Sequence, residues 1–435
     1  MLETIGVDRR QALRYGAGAA GAVAALMAGS AVLKNATEEE KPPLRRPLWA
    51  FRPSGRDGDV LCLDPVLHAN GTLYVRSAGP TGLYAVDAES GRTRWQARFD
   101  GAPGEPAATP HAVYAATDDA EVYALRASDG RRLWRVRPGS PLKNAVPGPV
   151  HTSGSVVLVS VRPHVEEDAD PEPAELHALD AADGRVRWRT RGDVLAVRDG
   201  LAYVNPPDRS LTALDVRSGA VVWSAPVRDS LGRRTLDLQG PDALFGRNEV
   251  DEERTELVAY DPRTGNVRWT GPSTYHSVPV LGGDTLYVIG PGAHRASERR
   301  LHAFDAATGR RRWTRTEPAR SLDHTIPLSA DAHSVRLLLS ADLGWDEERT
   351  TLRAYADDGR LLWETKRRTS SFSLVTPPDG QLVVGHLHDW YGYDSRTGRP
   401  SWRLNVGEDT ASAAPIAVDG RLYCAHDSGV TAVRA

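Results

Sequence analysis

The 435-residue sequence predicts an all-β protein, a closed β-propeller of four-stranded blades, eight or nine in number and nine by the count of its motif. Three observations predict it. A phrase of about thirteen residues, LHALDAADGRVRW at 176–188, is one of eight variant copies between residues 83 and 402. Its neighbourhood is written in short apolar runs separated by Gly, Asp, Pro and Ser, with no long stretch of helical period after residue 47. The two ends of the chain each carry part of one further unit.

The copies are LYAVDAESGRTRW (83–95), VYALRASDGRRLW (122–134), LHALDAADGRVRW (176–188), LTALDVRSGAVVW (211–223), LVAYDPRTGNVRW (257–269), LHAFDAATGRRRW (301–313), LRAYADDGRLLW (352–363) and WYGYDSRTGRPSW (390–402). With Trp49, the tryptophans Trp95, Trp134, Trp188, Trp223, Trp269, Trp313, Trp363 and Trp402 recur every 35 to 54 residues, the spacing of a propeller blade. Inside one copy, Leu176-His177-Ala178-Leu179 is mostly apolar on both faces, so the strand is covered on both sides. Asp180 opens a turn by bonding its own backbone, and Gly184 supplies the positive φ that the hairpin requires. The tryptophan follows on the next strand, where its surface seals the gap to a neighbouring sheet.

After Trp402 the chain supplies the early strands of a ninth unit and stops before a tryptophan strand; PLWAFRP at 47–53 supplies the missing strand from the other end. A ring closed in this way leaves no free edge in its last blade. The bland alternative puts Trp49 in an ordered tail.

The D-x-x-T-G-x-x-x-W phrase, as in DAATGRRRW at 305–313, resembles the repeat of quinoprotein-like (PQQ-like) β-propellers. That superfamily includes the outer-membrane assembly lipoprotein propeller and the extracytoplasmic sensor propellers of some bacterial Ser/Thr kinases, and eight blades are commoner in it than nine. The resemblance spans residues 47–435 and is specific for fold, while a propeller hosts many activities. Quinone-dependent members imply adjacent cysteines joined beside the quinone and a calcium site. Here the two cysteines stand at 62 and 424, so that hallmark is missing. No Ser-His-Asp, HExxH or phosphate-loop signature is present either, and no catalytic, cofactor or metal residue is assigned. A net charge of −3 with mixed signs argues against nucleic-acid binding.

The N-terminus has a different character. Arg9 and Arg10 precede an uncharged run from Tyr15 to Leu33, which reads as an export signal resembling the twin-arginine type. Uncleaved, residues 15–33 are just long enough to remain as a membrane anchor. No cysteine lies near the expected cleavage after Ala31, so a lipoprotein is not expected. Residues 34–46 read as a solvated linker. Cys62 in the first unit and Cys424 in the last become neighbours on ring closure, and two readings stay open: a disulfide that staples the ring, or two buried thiols.

Candidate binding residues come from strand order. In an up-and-down blade the loops after the second strand and the links between blades emerge on one face, opposite the D-x-x-T-G turns. Four such loops are long: 162–174, 246–255, 290–299 and 341–350. Trp345 in the last is the expected partner anchor, against the bland reading that it folds back. His276 and His324 stand at matching places in consecutive links, but two histidines fall short of a zinc site. His386 and His388 are a weaker pair. The expected function is an exported scaffold, secreted or tethered by residues 15–33, that binds an envelope or membrane protein. A quinone- or metal-dependent oxidoreductase and a ligand-sensing ectodomain are the alternatives.

Overall fold

The computed structural model describes residues 42–435 apart from 54–60, 80, 140–145, 163–173, 209, 227–235, 241, 250–254, 275–278, 292–297, 319–327, 342–348, 368–372, 376–379, 386–388 and 408–414. Residues 43–435 form one compact unit. No helix occurs among the described residues. The strands fall into nine antiparallel sheets, eight of four strands and one that gains a short extra strand, in the chain order of an up-and-down propeller. The first eight blades span 61–98, 107–136, 146–191, 193–226, 236–274, 280–318, 328–367 and 373–405.

The ninth blade answers the question posed by the two ends. Strands Ile416–Val418, Arg421–His426 and Gly429–Arg434 are completed by Trp49–Phe51, with Trp49 opposite Ala432 and Phe51 opposite Val430. Nine blades, as the motif count predicts, therefore close the ring, and Trp49 is no tail residue.

Each seam between consecutive blades holds its own apolar cluster. Leu83 and Ala85 pack toward Val113 and Ala115 of the second blade, while Tyr84 and Val86, one residue out of phase, pack back toward Val430 and Ala432 of the ninth. The same alternation runs around the molecule, so the strand that opens each copy of the phrase is buried on both faces. This is why the runs read as continuous rather than alternating.

The tryptophans lock these seams. Trp95, Trp134, Trp188, Trp223, Trp269, Trp313 and Trp363 each donate the indole N–H to a backbone carbonyl in the turn of the following blade, at 2.7 to 3.1 Å. The turn glycine of that next blade lies under the ring: a Cβ on Gly309 would come within 2.5 Å of Trp269. Asp305 fixes the turn by accepting bonds from the Thr308 amide at 2.9 Å and hydroxyl at 2.7 Å. In the phrase at 176–188, Asp183 takes the threonine's place and accepts from the Arg185 amide at 3.0 Å. The phrase's small third residue, alanine in seven blades and Gly392 in the eighth, stands opposite the tryptophan.

One expectation is corrected. The linker does not run to residue 46: Leu44 bridges Arg403, the Arg45 amide donates to Arg403 O at 2.7 Å, and the Arg403 amide donates to Pro43 O at 3.0 Å. The ninth blade has no D-x-x-T-G turn to receive Trp402, and the segment from Pro43 fills that place, with the Arg45 guanidinium 4.7 Å from the Trp402 ring. For the cysteines, where a disulfide and buried thiols both stood open, the geometry of Cys424 agrees with the buried thiol. Cys424 is a free, fully buried thiol packed with Trp390, Trp402 and Leu404 of the eighth blade. Its neighbours Tyr423 and Ala425 face the first blade, so strand alternation turns Cys424 away from the blade that contains Cys62. Burial pushes the Cys424 thiol pKa up. The side chain of Cys62 lies outside the described residues.

Candidate functional site

The expected partner anchor Trp345, the paired His276 and His324, the weaker pair His386 and His388, and the export residues Arg9 and Arg10 all lie outside the described residues. What the structure supplies is the strand order around them. The second and third strands flanking the four long loops are antiparallel neighbours, so the chain enters and leaves all four loops at the same end of its blades. Among the described residues no group of three or more His, Cys, Asp or Glu stands where it would hold a metal ion.

A cluster that the motif reading missed sits at that same end. It is built on the second residue of each phrase, which faces the preceding blade, and on the residues just after the tryptophan. In the second blade these are Tyr123, Arg135 and Arg137. Glu121, one residue ahead of the phrase, ion-pairs with Arg135 and, at 3.0 Å, with Arg137. Asp100 takes a further Arg135 nitrogen at 2.7 Å, and the guanidinium lies 5.2 Å from the Tyr123 ring. The seventh blade is similarly neutralised. Arg353 pairs with the fully buried Glu317 of the sixth blade and with Glu364 at 2.7 Å, and Tyr355 Oη donates to Glu317 at 2.5 Å.

In the sixth blade the second phrase residue is His302, which shares a 2.9 Å hydrogen bond between Nδ1 and Thr314 Oγ1. Burial and the nearby Arg311 and Arg300 lower its pKa to about 4, so it is neutral at pH 7.

The third blade breaks the pattern. Its residues at these positions are Glu175, His177, Arg189 and Arg191, with Arg189 opposite His177 and Arg191 opposite Glu175 across the strand pair. Here the carboxylate does not take the arginines. Glu175 Oε2 lies 3.4 Å from His177 Nε2, and among the described residues neither Arg189 nor Arg191 forms an ion pair. His177 is 1% exposed, and burial lowers its pKa. Gly139, at the exit of the second blade, passes so close that a Cβ there would lie 3.0 Å from Glu175 Oε2 and 3.2 Å from His177 Nε2. The four side chains, with Thr190, Pro206 and Pro207, line a cavity of about 580 Å³. The signal for this site was in the phrase itself: its constant columns carry the fold, and the column that changes from Tyr to His to Arg carries the chemistry.

Comparison with known proteins places this architecture. A family model described as outer membrane protein assembly factor BamB matches residues 41–161, 139–276 and 348–435, most of the propeller. The chain belongs to this family. BamB of Yersinia pestis is 24% identical over 378 residues, covering 80% of this chain and 87% of that protein. The Ser/Thr kinase AfsK of Streptomyces coelicolor is 27% identical over 314 residues, 68% of this chain and 35% of the kinase. Among solved structures, quinohemoprotein alcohol dehydrogenase from Comamonas testosteroni superposes with a TM-score of 0.52 at 12% identity, covering 89% of this chain and 76% of the enzyme. That last likeness is one of fold.

Proposed function

We propose that this chain is an exported, non-catalytic scaffold that holds another protein at the cell envelope, in the line of work named by its assembly-factor relatives. The observation that carries this reading is the family match along the propeller, joined to a relative covered over 87% of its length. Export is assigned to residues 1–33, with Arg9 and Arg10 ahead of the apolar run and residues 15–33 as the anchor when uncleaved. The partner is an envelope or membrane protein, and the docking face is the end of the blades that bears the long loops.

Cross-linked capture from intact cells tests the reading. Trp345→Ala weakens capture of the envelope partner by about 2 kcal/mol, the scale of a central aromatic anchor, and Thr308→Ala on the opposite face leaves it unchanged. The fold shared with a quinohemoprotein enzyme makes absorbance the second arm. A scaffold is colourless and reduces no dye, whereas quinone absorbance with dye reduction by the purified protein overturns the proposal.

A further inference from the structure

We propose that the cavity of the third blade binds a small molecule through a carboxylate or phosphate group held between Arg189 and Arg191. The molecule supplies its own control. The second blade has arginines at the same two places after its tryptophan, Arg135 and Arg137, and a glutamate at the same place ahead of its phrase, Glu121. There the glutamate bonds both arginines and nothing is left over. In the third blade the tyrosine at the second phrase position is replaced by His177. Glu175 lies beside the imidazole, 3.4 Å from Nε2, instead of on the guanidinium groups.

Two cations are thereby left facing one cavity of about 580 Å³, room for a small metabolite. Arginine 189 and arginine 191 project from the same face of one strand, because side chains two apart on a strand share a side. Their forked N–H groups match the two oxygens of a carboxylate or the three of a phosphate. Glu175 sets a limit on the ligand: a second negative group placed toward His177 is repelled, so the bound species presents its anionic end to the arginines and a neutral or donor-bearing end to the glutamate.

Isothermal titration of the purified propeller with inorganic phosphate and, separately, with succinate tests this. Saturable binding of at least one of the two is expected, and the arm that binds more tightly identifies the group. Arg189→Ala and Arg191→Ala each weaken it about tenfold or more, as for loss of a charge-assisted hydrogen bond. Arg187→Ala leaves binding intact, because Arg187 is held by Asp180 at the other end of the strand at 2.7 Å. His177→Tyr restores the second-blade arrangement and frees Glu175 for the arginines; it abolishes binding without lowering Tm. Glu175→Gln tightens binding. Absence of saturable binding of both anions, or binding indifferent to both arginine substitutions, overturns the proposal. So does binding that appears only when Glu166, Glu167, Asp168 and Asp170 are replaced by serine, since the arginines would then serve the chain's own acidic segment.

Discussion

The glycine of the phrase shows most directly how one residue sets a seam. Gly309 has φ +69 and lies under Trp269, whose Cδ2 would be 2.5 Å from an added Cβ. Gly154 has a similar φ of +58, but nothing stands within 4 Å of its missing Cβ. The pair separates backbone strain from crowding. Gly154→Ala pays only for the left-handed backbone, about 1 kcal/mol. Gly309→Ala adds overpacking against the indole and lowers stability by about 2–4 kcal/mol. Urea unfolding of the two variants checks this, and equal losses would show that the tryptophan yields freely.

The fold was legible because the same residue is needed for the same reason in blade after blade. The clusters beside the seams were not. Tyr123, His177, His302 and Arg353 occupy one column, and no single copy of the phrase says which of them is satisfied by its surroundings. That depends on the preceding blade, as Glu317 does for Arg353. The two readings of Cys424 stayed open in the sequence for a related reason. Proximity of blades follows from ring closure, but the face on which a side chain stands follows from counting by twos, and Tyr423 occupies the face turned to the first blade.

At the scale of the element, the segment 43–51 does two jobs that elsewhere are done by separate pieces. Trp49–Phe51 is the outer strand of the ninth blade, and residues 43–45 replace the turn that the split blade lacks. Phe51 is 5% exposed and packs with Tyr84 and Val430, so the strand also contributes to the first seam. The strand was legible from its tryptophan. The preceding residues were not, since Pro43-Leu44-Arg45 carries no strand pattern and acts through backbone bonds and the Arg45 guanidinium. A chain beginning at residue 54 exposes the edge of Gly429–Arg434 and removes a buried aromatic, a loss of about 3–5 kcal/mol from Phe51 alone. Its Tm is expected to fall by about 10 °C or more, with aggregation through the bared edge in size-exclusion chromatography. Arg45→Ala, which removes the guanidinium from the Trp402 ring and from the Arg434 carbonyl while leaving the strand in place, shifts Tm by a few degrees at most. An unchanged melt in the truncated chain would mean that the ninth blade closes without its outer strand.

For the whole molecule, repetition multiplies a small electrostatic effect. The phrase aspartates Asp87, Asp180, Asp215, Asp261 and Asp305, in five blades, all have carboxyl pKa values held below the usual range. The leading cause is a side-chain hydrogen bond, from Ser90 to Asp87, Arg187 to Asp180, Ser218 to Asp215, Arg268 to Asp261 and Arg312 to Asp305. Asp261 and Asp305 are each lowered to about 2. A carboxylate with a depressed native pKa stabilises the fold fully above its unfolded value and loses that contribution as pH falls toward the native value. The window is therefore from about pH 4 down to about pH 2. Each group is only partly buried and contributes little alone. The turns they hold dock onto the tryptophans of the preceding blades, so protonation loosens several seams of one closed ring in the same narrow range. Tm is expected to be nearly flat from pH 7 to 5 in this respect and to drop steeply below pH 4. Asp305→Asn, which keeps the turn geometry without the charge, lowers Tm at pH 7 and makes the decline below pH 4 shallower. Calorimetry of both proteins across that range decides the matter: parallel curves would show that the turn carboxylates do not govern acid unfolding.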